Sequence, residues 1–416
     1  MNFRPEVLVI GGGVIGAAVA DALARAGTEV VLIDKGRPGY GCSYGNAGWV
    51  APCFATPLPR PGLLLKAARW MTDPTSPLRI PFRADPALLS WLVRFLWNAR
   101  QTRFVSGTRA LVELSEYSLE AFRELAREHP GGLDMKDQGL LQLGLTSKGV
   151  EQTATDLRLM EDFGVQGTVL DEQAVRELEP AITGRVHGGV HFVDEGHLEP
   201  LEAVRALLAR AERAGARVIP DTEAIRLRYR GTKVCGVETT RGWLEPDEVV
   251  LAAGTWSREL ARQVGVGVPV FGGKGYSMTL ERSASELNTP IMVVERKVAI
   301  TPHGSRIRFA GTLELVRDDR SISLRRVAAI RRTGTELLGV PDSYEVGEIW
   351  RGLRPCTPDG LPLIGRSSEV KNLILATGHQ MLGLQTAPAT GRLVADLVQD
   401  RSPTFNPAPF SPARFE

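Results

Sequence analysis

A glycine pattern near the N-terminus constrains the fold most. Gly11, Gly13 and Gly16 form a GxGxxG pattern between the apolar run Val7–Ile10 and the alanine-rich residues 14–26. A short apolar run bounded by glycine predicts a buried strand, and the alanine-rich segment predicts a helix. Glycines placed between a strand and a helix are typical of the loop that binds a dinucleotide pyrophosphate at the N-terminus of the helix.

An acidic residue completes this pattern. Residues 29–33 predict a second strand, and Asp34 ends it. In dinucleotide-binding βαβ units, an acidic side chain at this place accepts hydrogen bonds from the ribose hydroxyls. A purely structural glycine turn would leave Asp34 without a role, so we interpret residues 7–34 as a site for an adenine dinucleotide.

Three segments far apart in the chain distinguish FAD from NAD. Residues 41–48 (GCSYGNAG), 249–257 (VVLAAGTWS) and 373–378 (LILATG) are rich in small residues that let a cofactor approach the backbone. Such remote segments suit an extended FAD better than NAD, which a continuous domain usually holds. The run 379–384 then leads into a last predicted helix, whose N-terminus would stabilise negative charge on the reduced flavin.

The predicted contacts to FAD come from all of these segments. They are Gly11, Gly13, Val14, Ile15, Gly16, Asp34, Lys35, Ser43, Asn46, Ala47, Gly48, Ala253, Gly254, Gly378, His379, Met381, Leu382, Gly383 and Leu384.

Length and charge limit the class of protein. The 416 residues predict two or three domains, and 50 Lys and Arg against 48 Asp and Glu, without basic blocks, argue against a nucleic-acid partner. The four scattered cysteines form no CxxC pair, which favours a reducing cytoplasm over a disulfide framework or a zinc site. No run is long and apolar enough for a signal peptide or a spanning helix.

Periodicity predicts the remaining elements. Helices are expected at 88–100, 108–127, 200–214 and 386–399, and strands at 223–229, 233–239 and 249–252. Residues 268–280 and 293–314 predict an antiparallel sheet with a break at 302–304. The proline-rich residues 52–86 predict a loop that wraps over another surface.

Five motifs in order carry a resemblance to a known family: GGGVIG, GCSYGNAGW, LAAGTWS, WRGLRPCTPDGLPLIG and ATGHQMLGLQTAPATG. The chain resembles the D-amino acid oxidase superfamily of FAD-dependent oxidoreductases nearly end to end, most closely its bacterial D-amino acid dehydrogenase branch. The resemblance implies an α/β fold with a Rossmann-like FAD-binding domain and an α+β substrate domain with an antiparallel sheet. We assign residues 1–60, 150–262 and 348–416 to the first domain and residues 61–149 and 263–347 to the second.

The resemblance also implies the residues that bind substrate. Arg354 resembles the arginine that binds the substrate carboxylate, a role suited to its rigid fork of donors, although a structural salt bridge is the alternative. Tyr276 resembles a tyrosine of the substrate domain, or it is a core tyrosine with a satisfied hydroxyl. Gln380 replaces a glycine common in this branch and would narrow or polarise the pocket. His379 lies either at the substrate or packed beside the cofactor.

The motif around Thr357 bears on how FAD is held. Members of the family with covalent flavin use a cysteine slightly upstream of a TPD-like motif, and the alignment places Gly352 there rather than Cys356. We therefore expect non-covalent FAD.

The expected reaction is the oxidative deamination of a small D-amino acid. Hydride passes from Cα to flavin N5 without a nucleophile or metal, and the imino acid hydrolyses to a 2-oxo acid. Alternatives within the family are a D-proline or D-hydroxyproline dehydrogenase and a glycine or sarcosine-type amine oxidase. A non-catalytic dinucleotide-binding redox module is the alternative from another class.

The electron acceptor is expected to be O₂ or a quinone. The stripe Leu88, Trp91, Leu92, Phe95 and Leu96 would suit contact with the inner face of a membrane, although such a stripe more often packs in a core.

Overall fold

The computed structural model describes residues 2–62, 78–79, 85–129, 131–281, 287–339 and 346–415. Its α-helices, numbered in chain order, are α1 Val14–Arg25, α2 Pro86–Asn98, α3 Gln101–Glu128, α4 Ser147–Glu161, α5 Glu172–Leu178, α6 Pro200–Arg213, α7 Ser257–Arg262, α8 Leu324–Leu338 and α9 Gly383–Val398. In these described ranges, none of the helices has the length and apolarity needed to cross a bilayer.

The strands belong to two large sheets and two small ones. They are β1 Asn2–Phe3, β2 Val7–Ile10, β3 Val30–Ile33, β4 Trp49–Val50, β5 Leu78–Arg79, β6 Leu140–Gly144, β7 Gly167–Asp171, β8 Gly188–Phe192, β9 Gly196–His197, β10 Arg217–Ile219, β11 Ala224–Arg230, β12 Lys233–Thr239, β13 Gly242–Leu244, β14 Glu248–Leu251, β15 Phe271–Glu281, β16 Ile291–Val293, β17 Val298–His303, β18 Arg306–Val316, β19 Val346–Cys356, β20 Leu363–Arg366 and β21 Leu373–Thr377.

The six-stranded sheet contains the predicted βαβ unit. Its order is β10, β3, β2, β14, β21 and β20, and its first five strands are parallel, whereas β20 runs antiparallel to β21. Parallel strands buried on both faces are typical of sheets covered by helices or by a further sheet. Here α1, α6 and α9 pack together on one face with α3 behind α9, and the sheet β11–β13 with α7 covers the other.

The nine-stranded sheet packs against α8. Its strands follow the order β19, β15, β18, β17, β16, β6, β8 and β7, with β5 paired to β18. Tyr276, Met278, Phe309 and Ile330 belong to the hydrophobic core on the face of the sheet covered by α8. On the opposite face, Phe271, Leu313 and Leu315 pack against Leu88 and Trp91 of α2.

The predicted elements are present, with shifted ends. Helix α3 begins at residue 101, whereas the prediction began at 108 because residues 101–107 lack apolar periodicity. Phe104 and Gly107 in these first turns are nevertheless buried. Strand β17 continues through Pro302 and His303, so the turn lies at residues 304–305 instead of 302–304. Of the predicted proline-rich loop, residues 63–77 and 80–84 lie outside the described residues.

The sequence prediction missed β19, the strand that contains Arg354. Gly352 and Pro355 lie inside it, and both residue types argue against a strand interior. The overall class, a mixed α/β fold of the predicted type, is confirmed.

The segments that form the two large sheets do not follow the boundaries of the two predicted domains. Strands β7 and β8 lie within residues 150–262, assigned to the cofactor domain, yet both belong to the nine-stranded sheet, where β8 pairs with β6 and β7 pairs with β8. Helix α3 lies within residues 61–149, assigned to the substrate domain, yet it packs on α9. The division into two domains stays a prediction.

A buried acid beside β9 gives stability a pH dependence. Glu195 is 2% exposed, its Oε1 accepts a hydrogen bond from the backbone N–H of Cys53 at 2.9 Å, and Oε2 has no partner among the described residues. Burial raises the pKa of Glu195 to about 8. The carboxyl group is therefore protonated in the folded protein at neutral pH, whereas it ionises near pH 4.5 when the chain unfolds.

Glu195→Gln should therefore stabilise the protein at alkaline pH. A raised folded-state pKa means that ionisation favours the unfolded chain as pH rises from 4.5 to 8, at a cost of the order of a few kcal/mol. The variant lacks this titration, so its free energy of unfolding should match the wild type near pH 5 and exceed it above pH 8. Urea unfolding at both pH values measures this, and parallel pH profiles would contradict it.

Candidate active site

The predicted cofactor segments surround one cavity of about 990 Å³ at the carboxyl ends of β2, β3 and β14. Fourteen predicted site residues line it: Gly11, Gly13, Val14, Ile15, Asp34, Lys35, Ser43, Asn46, Ala253, Gly254, His379, Gln380, Gly383 and Leu384. The predicted residues that do not line it are Gly16, Ala47, Gly48, Tyr276, Arg354, Gly378, Met381 and Leu382. Segments more than 300 residues apart are therefore brought together as expected.

The glycine loop is held by close backbone approach. Gly11 has a φ of +112°, and a Cβ there would lie 2.6 Å from the carbonyl oxygen of Ala252. Gly16 has no space for a side chain against the backbone of Gly11. Gly13 differs, because its φ of −71° suits any residue and an added Cβ would meet only Ser43 Oγ at 3.4 Å. The space beside Gly13 is therefore open cavity, whereas the space beside Gly11 and Gly16 is filled by backbone atoms.

Two polar side chains shape the same loop. The carboxylate of Asp34 accepts hydrogen bonds from Gly12 N at 2.7 Å and from Gly36 N at 2.9 Å. Ser43 Oγ accepts from Val14 N at 3.0 Å, so the segment 41–48 is bonded to the first turn of α1. Lys35, also in the lining, places Nζ 3.5 Å from the centre of the Trp256 ring.

Helix α9 points its N-terminus at the other end of the cavity. Gly383 and Leu384 begin this helix and line the cavity, and no side chain caps its first turn. Uncapped N–H groups at a helix start carry partial positive charge and favour an anionic group nearby.

His379 is a neutral, packed histidine. Its Nε2 lies 3.0 Å from Thr390 Oγ1, and that hydroxyl donates its only proton to the carbonyl of Thr386 at 2.8 Å. Nε2 must therefore be the donor to Thr390. Burial lowers the pKa of His379 to about 3. This geometry favours packing beside the cofactor over proton transfer.

Paired glycines make room for two large side chains on the face of β15 and β19 that α8 does not cover. Gly275 pairs with Gly352, and a Cβ at Gly275 would overlap the guanidinium group of Arg354. A Cβ at Gly352 would overlap the ring of Trp350, and so would one at Gly45 in the cofactor segment. The guanidinium and the indole therefore lie side by side over the backbone of the two glycines, and the indole also contacts the segment 41–48 at Gly45.

Arg354 is held by strained backbone. Its Nη1 donates to the carbonyl oxygen of Thr312 at 2.8 Å. Thr312 has a φ of +63°, rare for a β-branched residue, at a bulge where β18 carries an extra residue opposite β15. Gln380, with a φ of +54°, donates its N–H to the carbonyl of Pro355. Backbone strain of this kind concentrates at functional sites. The left-handed φ of Gln380 also favours glycine, the residue common at this position in the branch that the chain resembles.

Arg354 brings a charge without a counterion. Among the described residues it forms no ion pair with a carboxylate, and the titratable groups that influence its charge are Cys42 and Cys356. Burial lowers the pKa of Arg354 below its ordinary value and raises the thiol pKa to about 11 for Cys42 and about 12 for Cys356. The thiols are therefore neutral, so a positive charge remains beside Cys42, which lines the cavity.

The structure does not bring Tyr276 to the cavity. Side chains alternate along β15, so Tyr276 lies on the opposite face from Arg354. Its hydroxyl donates to Glu314 Oε2 at 3.1 Å, within a buried cluster where Glu314 also pairs with Lys274 and Arg326. These surroundings are those of a core tyrosine with a satisfied hydroxyl, the alternative considered from sequence.

Several lining residues were missed by sequence reasoning. They include Arg37, Tyr40, Cys42, Thr222, Glu223, Trp256, Gln263, Arg320, Ile322, Trp350 and Leu353. Residues 222–225 follow β10, and the carboxyl ends of parallel strands are where ligands bind in such sheets. Recognising residues 217–219 as a strand would have indicated that residues 222–225 line the cavity. Arg320 and Ile322 reach the cavity from a loop whose sequence contains no comparable local pattern.

The chain belongs to the FAD dependent oxidoreductase (DAO) family, whose sequence model matches residues 6–397. The cavity, the open position at Gly13 and the two helix N-termini fit this cofactor, so the chain is an FAD-dependent oxidoreductase, as predicted. The chain is similar to proteins named D-amino acid dehydrogenase from Methylobacterium nodulans, with 37% identity, and from Granulibacter bethesdensis, with 34% identity, each alignment covering 99% of both chains.

Two solved structures have a similar fold. The fold is similar to glycine oxidase from Geobacillus kaustophilus, with a TM-score of 0.80, 26% identity and 98% of both chains covered. It is also similar to L-proline dehydrogenase from P. horikoshii, with a TM-score of 0.80 at 20% identity, covering 100% of this chain and 98% of that one.

Replacing Gly275 should disable Arg354 indirectly. Gly275→Val places side-chain atoms where the guanidinium lies, and the flexible arginine must move away. We expect the variant to keep FAD while kcat/KM for an amino-acid substrate falls at least about tenfold, because Arg354 is the predicted carboxylate-binding residue and displacing such a group is costly. Gly347→Val, on β19 where a Cβ meets no atom closer than 3.5 Å, is the control. Equal kinetics for the two variants would refute the arrangement.

Proposed function

We propose that the protein oxidises the Cα–N bond of a small D-amino acid to an imino acid, which water hydrolyses to a 2-oxo acid. The observation that carries this proposal is Arg354, a guanidinium without a carboxylate partner in the described chain, beside a cavity that fits FAD. Support also comes from relatives named D-amino acid dehydrogenase that align over the full chain.

The roles of the residues follow from their chemistry. Arg354 binds the substrate carboxylate through its planar fork and so orients Cα. Gln380 borders the same space from the next segment and narrows it, while the neutral His379 packs beside the cofactor. The residues that line the cavity would hold non-covalent FAD, which would supply the acceptor for the hydride from Cα.

The cofactor contacts predicted from the sequence are part of this proposal: Gly11, Gly13, Val14, Ile15, Gly16, Asp34, Lys35, Ser43, Asn46, Ala47, Gly48, Ala253, Gly254, Gly378, His379, Met381, Leu382, Gly383 and Leu384. Gly16, Gly48 and Gly378 act by allowing close backbone packing around the cavity, and Leu382 lies at the N-cap of α9. Substrate contact by Tyr276 is left out of the proposal, since its hydroxyl is bonded to Glu314.

Anaerobic titration of the flavin absorbance tests the reaction. D-alanine should bleach the oxidised flavin band, and L-alanine should not. Bleaching by D-proline or cis-4-hydroxy-D-proline alone would favour a cyclic imino acid, and bleaching by glycine or sarcosine alone would favour the amine oxidase type. A yellow protein that none of these compounds reduces would refute the proposal and favour a non-catalytic redox module.

We also infer that the electrons pass to a quinone rather than to O₂, at the cytoplasmic face of a membrane. The relatives bear the name dehydrogenase, and Cys42, Cys53, Cys235 and Cys356 are free, as expected in a reducing compartment. Reduction of a short-chain quinone by the substrate-reduced enzyme should be faster than oxygen consumption measured with an electrode. Faster reaction with O₂ would refute the inference.

A further inference from the structure

The indole of Trp350 is enclosed by two glycines from different segments. A Cβ at Gly352 would overlap Cη2 of Trp350, and a Cβ at Gly45 would overlap Cε3. Both of these atoms belong to the six-membered ring, so that ring lies against the backbone at each glycine. Backbone atoms cannot move aside as the end of a flexible side chain can. The position of the indole is therefore set by the main chain.

The backbone behind the indole is itself held in place. Arg308, which is 3% exposed, donates from Nη1 to the carbonyl oxygen of Asn46 at 2.9 Å. The side chain of Asn46 accepts a hydrogen bond from Gly48 N at 2.8 Å. These bonds fix the chain next to Gly45, so the indole has no room to swing in that direction. Trp350 is therefore a fixed wall rather than a movable gate.

This wall stands beside the guanidinium of Arg354. Gly275, where a Cβ would overlap the guanidinium, pairs directly with Gly352, where a Cβ would overlap the indole. The Cβ positions of two directly opposed residues lie about 4.5 to 5.5 Å apart. Trp350 is half-buried and lines the cavity. The indole therefore borders the space immediately next to the positive charge.

A substrate bound through its carboxylate would have little room on this side. A carboxylate oxygen about 2.9 Å from a guanidinium nitrogen leaves the substrate Cα about 5 Å from that nitrogen. This length is the same as the separation of the two overlapped Cβ positions. On the other side of Arg354, the backbone N–H of Gln380 is bonded to the carbonyl of Pro355. The space for a side chain on Cα is thus bounded by Trp350 and Gln380.

We propose that Trp350 sets the upper size of the substrate side chain, so that the protein selects D-amino acids whose side chain has one or two carbon atoms. This inference rests on the proposed function, since it takes Arg354 as the residue that binds the carboxylate. A rigid aromatic wall rejects longer side chains by overlap, which is discrimination against the wrong substrate rather than attraction for the right one.

Substitution of Trp350 should widen the range of substrates. In Trp350→Ala, the ratio of kcat/KM for D-phenylalanine to kcat/KM for D-alanine should rise at least about tenfold, because a single methylene group in an apolar pocket already changes discrimination by about 10- to 200-fold. Trp350→Phe keeps an aromatic ring and should lie between the wild type and Trp350→Ala. An unchanged ratio in both variants would overturn the proposal.

Trp243 on β13 provides a matched control. A Cβ at Gly236 on the neighbouring strand would overlap the ring of Trp243, so this indole also lies over a glycine, but it does not line the cavity. Trp243→Ala should therefore leave the ratio at its wild-type value. A rise in Trp243→Ala as large as the rise in Trp350→Ala would show a general effect of losing an indole and would overturn the assignment to Trp350.

Binding of simple carboxylates tests the wall without turnover. Acetate and 3-phenylpropanoate share a carboxylate but differ in size, and each is titrated into the FAD-loaded protein while the flavin absorbance is followed. Trp350→Ala should lower the Kd of 3-phenylpropanoate at least about tenfold and change that of acetate less than about threefold. An unchanged Kd for 3-phenylpropanoate, or loss of flavin from both Trp350 variants, would overturn the proposal.

Anaerobic bleaching of the wild type by D-alanine reports the proposed function separately. If D-alanine fails to bleach the flavin, the proposed reaction is refuted, while the carboxylate titration still decides whether Trp350 limits the size of a bound carboxylate.

Discussion

Gly13→Val is expected to give a folded, colourless protein. The φ of −71° is allowed for valine, and an added Cβ meets only Ser43 Oγ at 3.4 Å, so the backbone has no reason to change. The branched side chain instead enters the cavity at the start of α1, where the pyrophosphate must approach the N–H groups. We expect the purified variant to lose more than about nine-tenths of its flavin absorbance.

Two other glycines serve as controls for that result. Gly267→Val makes the same change where no atom lies within 4 Å of the added Cβ, so the yellow colour should persist. Gly11→Val combines a φ of +112° with a 2.6 Å approach to Ala252 O, so it should lose the fold together with FAD. Circular dichroism and gel filtration distinguish the two kinds of loss. Normal FAD content in a folded Gly13→Val protein would refute the placement of the cofactor.

Arg354→Ala is expected to keep FAD and lose substrate. The variant removes a half-buried guanidinium whose hydrogen bond to the carbonyl of Thr312 leaves its other donors available to a carboxylate. A hydrogen bond to a charged group contributes ~1.5 to 3 kcal/mol, so kcat/KM for the amino acid should fall at least about tenfold. Arg354→Lys should lie between wild type and alanine, since it keeps the charge but not the fork.

The carboxylate itself can be tested with the same proteins. D-alaninamide lacks the carboxylate, so the preference for D-alanine over D-alaninamide should shrink in Arg354→Ala. Arg366 on β20 forms an ion pair with Glu248 on β14, so Arg366→Ala is the control for loss of an arginine and should keep the preference. Unchanged kinetics in Arg354→Ala would remove Arg354 from the substrate site.

The cofactor half of the site was predictable because its signal is local. A tight turn, a close approach to phosphate and a carboxylate at the end of the next strand each demand a particular residue type, and Gly11, Gly13 and Asp34 meet those demands within 24 residues. The segments around residues 43, 253 and 379 carry similar backbone demands, so they were also recognised. The structure brings members of all four segments to one cavity.

The substrate half was less predictable because it depends on strand register. Whether Tyr276 or its neighbours face the cavity follows from how β15 pairs with β18 and β19 and where the bulge at Thr312 falls. A shift of one residue would exchange the two faces, and the sequence around Tyr276 contains no turn or cap that sets the pairing. For the same reason Trp350 went unnoticed, since its position depends on Gly45 and Gly352 in different segments.

The class of fold, the dinucleotide loop, the FAD cofactor and the family could be predicted from the sequence by itself. These features depend on short-range backbone requirements, which glycines and apolar runs satisfy in recognisable patterns. Only the tertiary structure decided that Arg354 has no carboxylate partner among the described residues, that His379 is neutral and packed, that Tyr276 belongs to the core, and that α2 exposes an apolar face. These properties depend on desolvation and on which surfaces meet, and both arise from contacts between residues far apart in the chain.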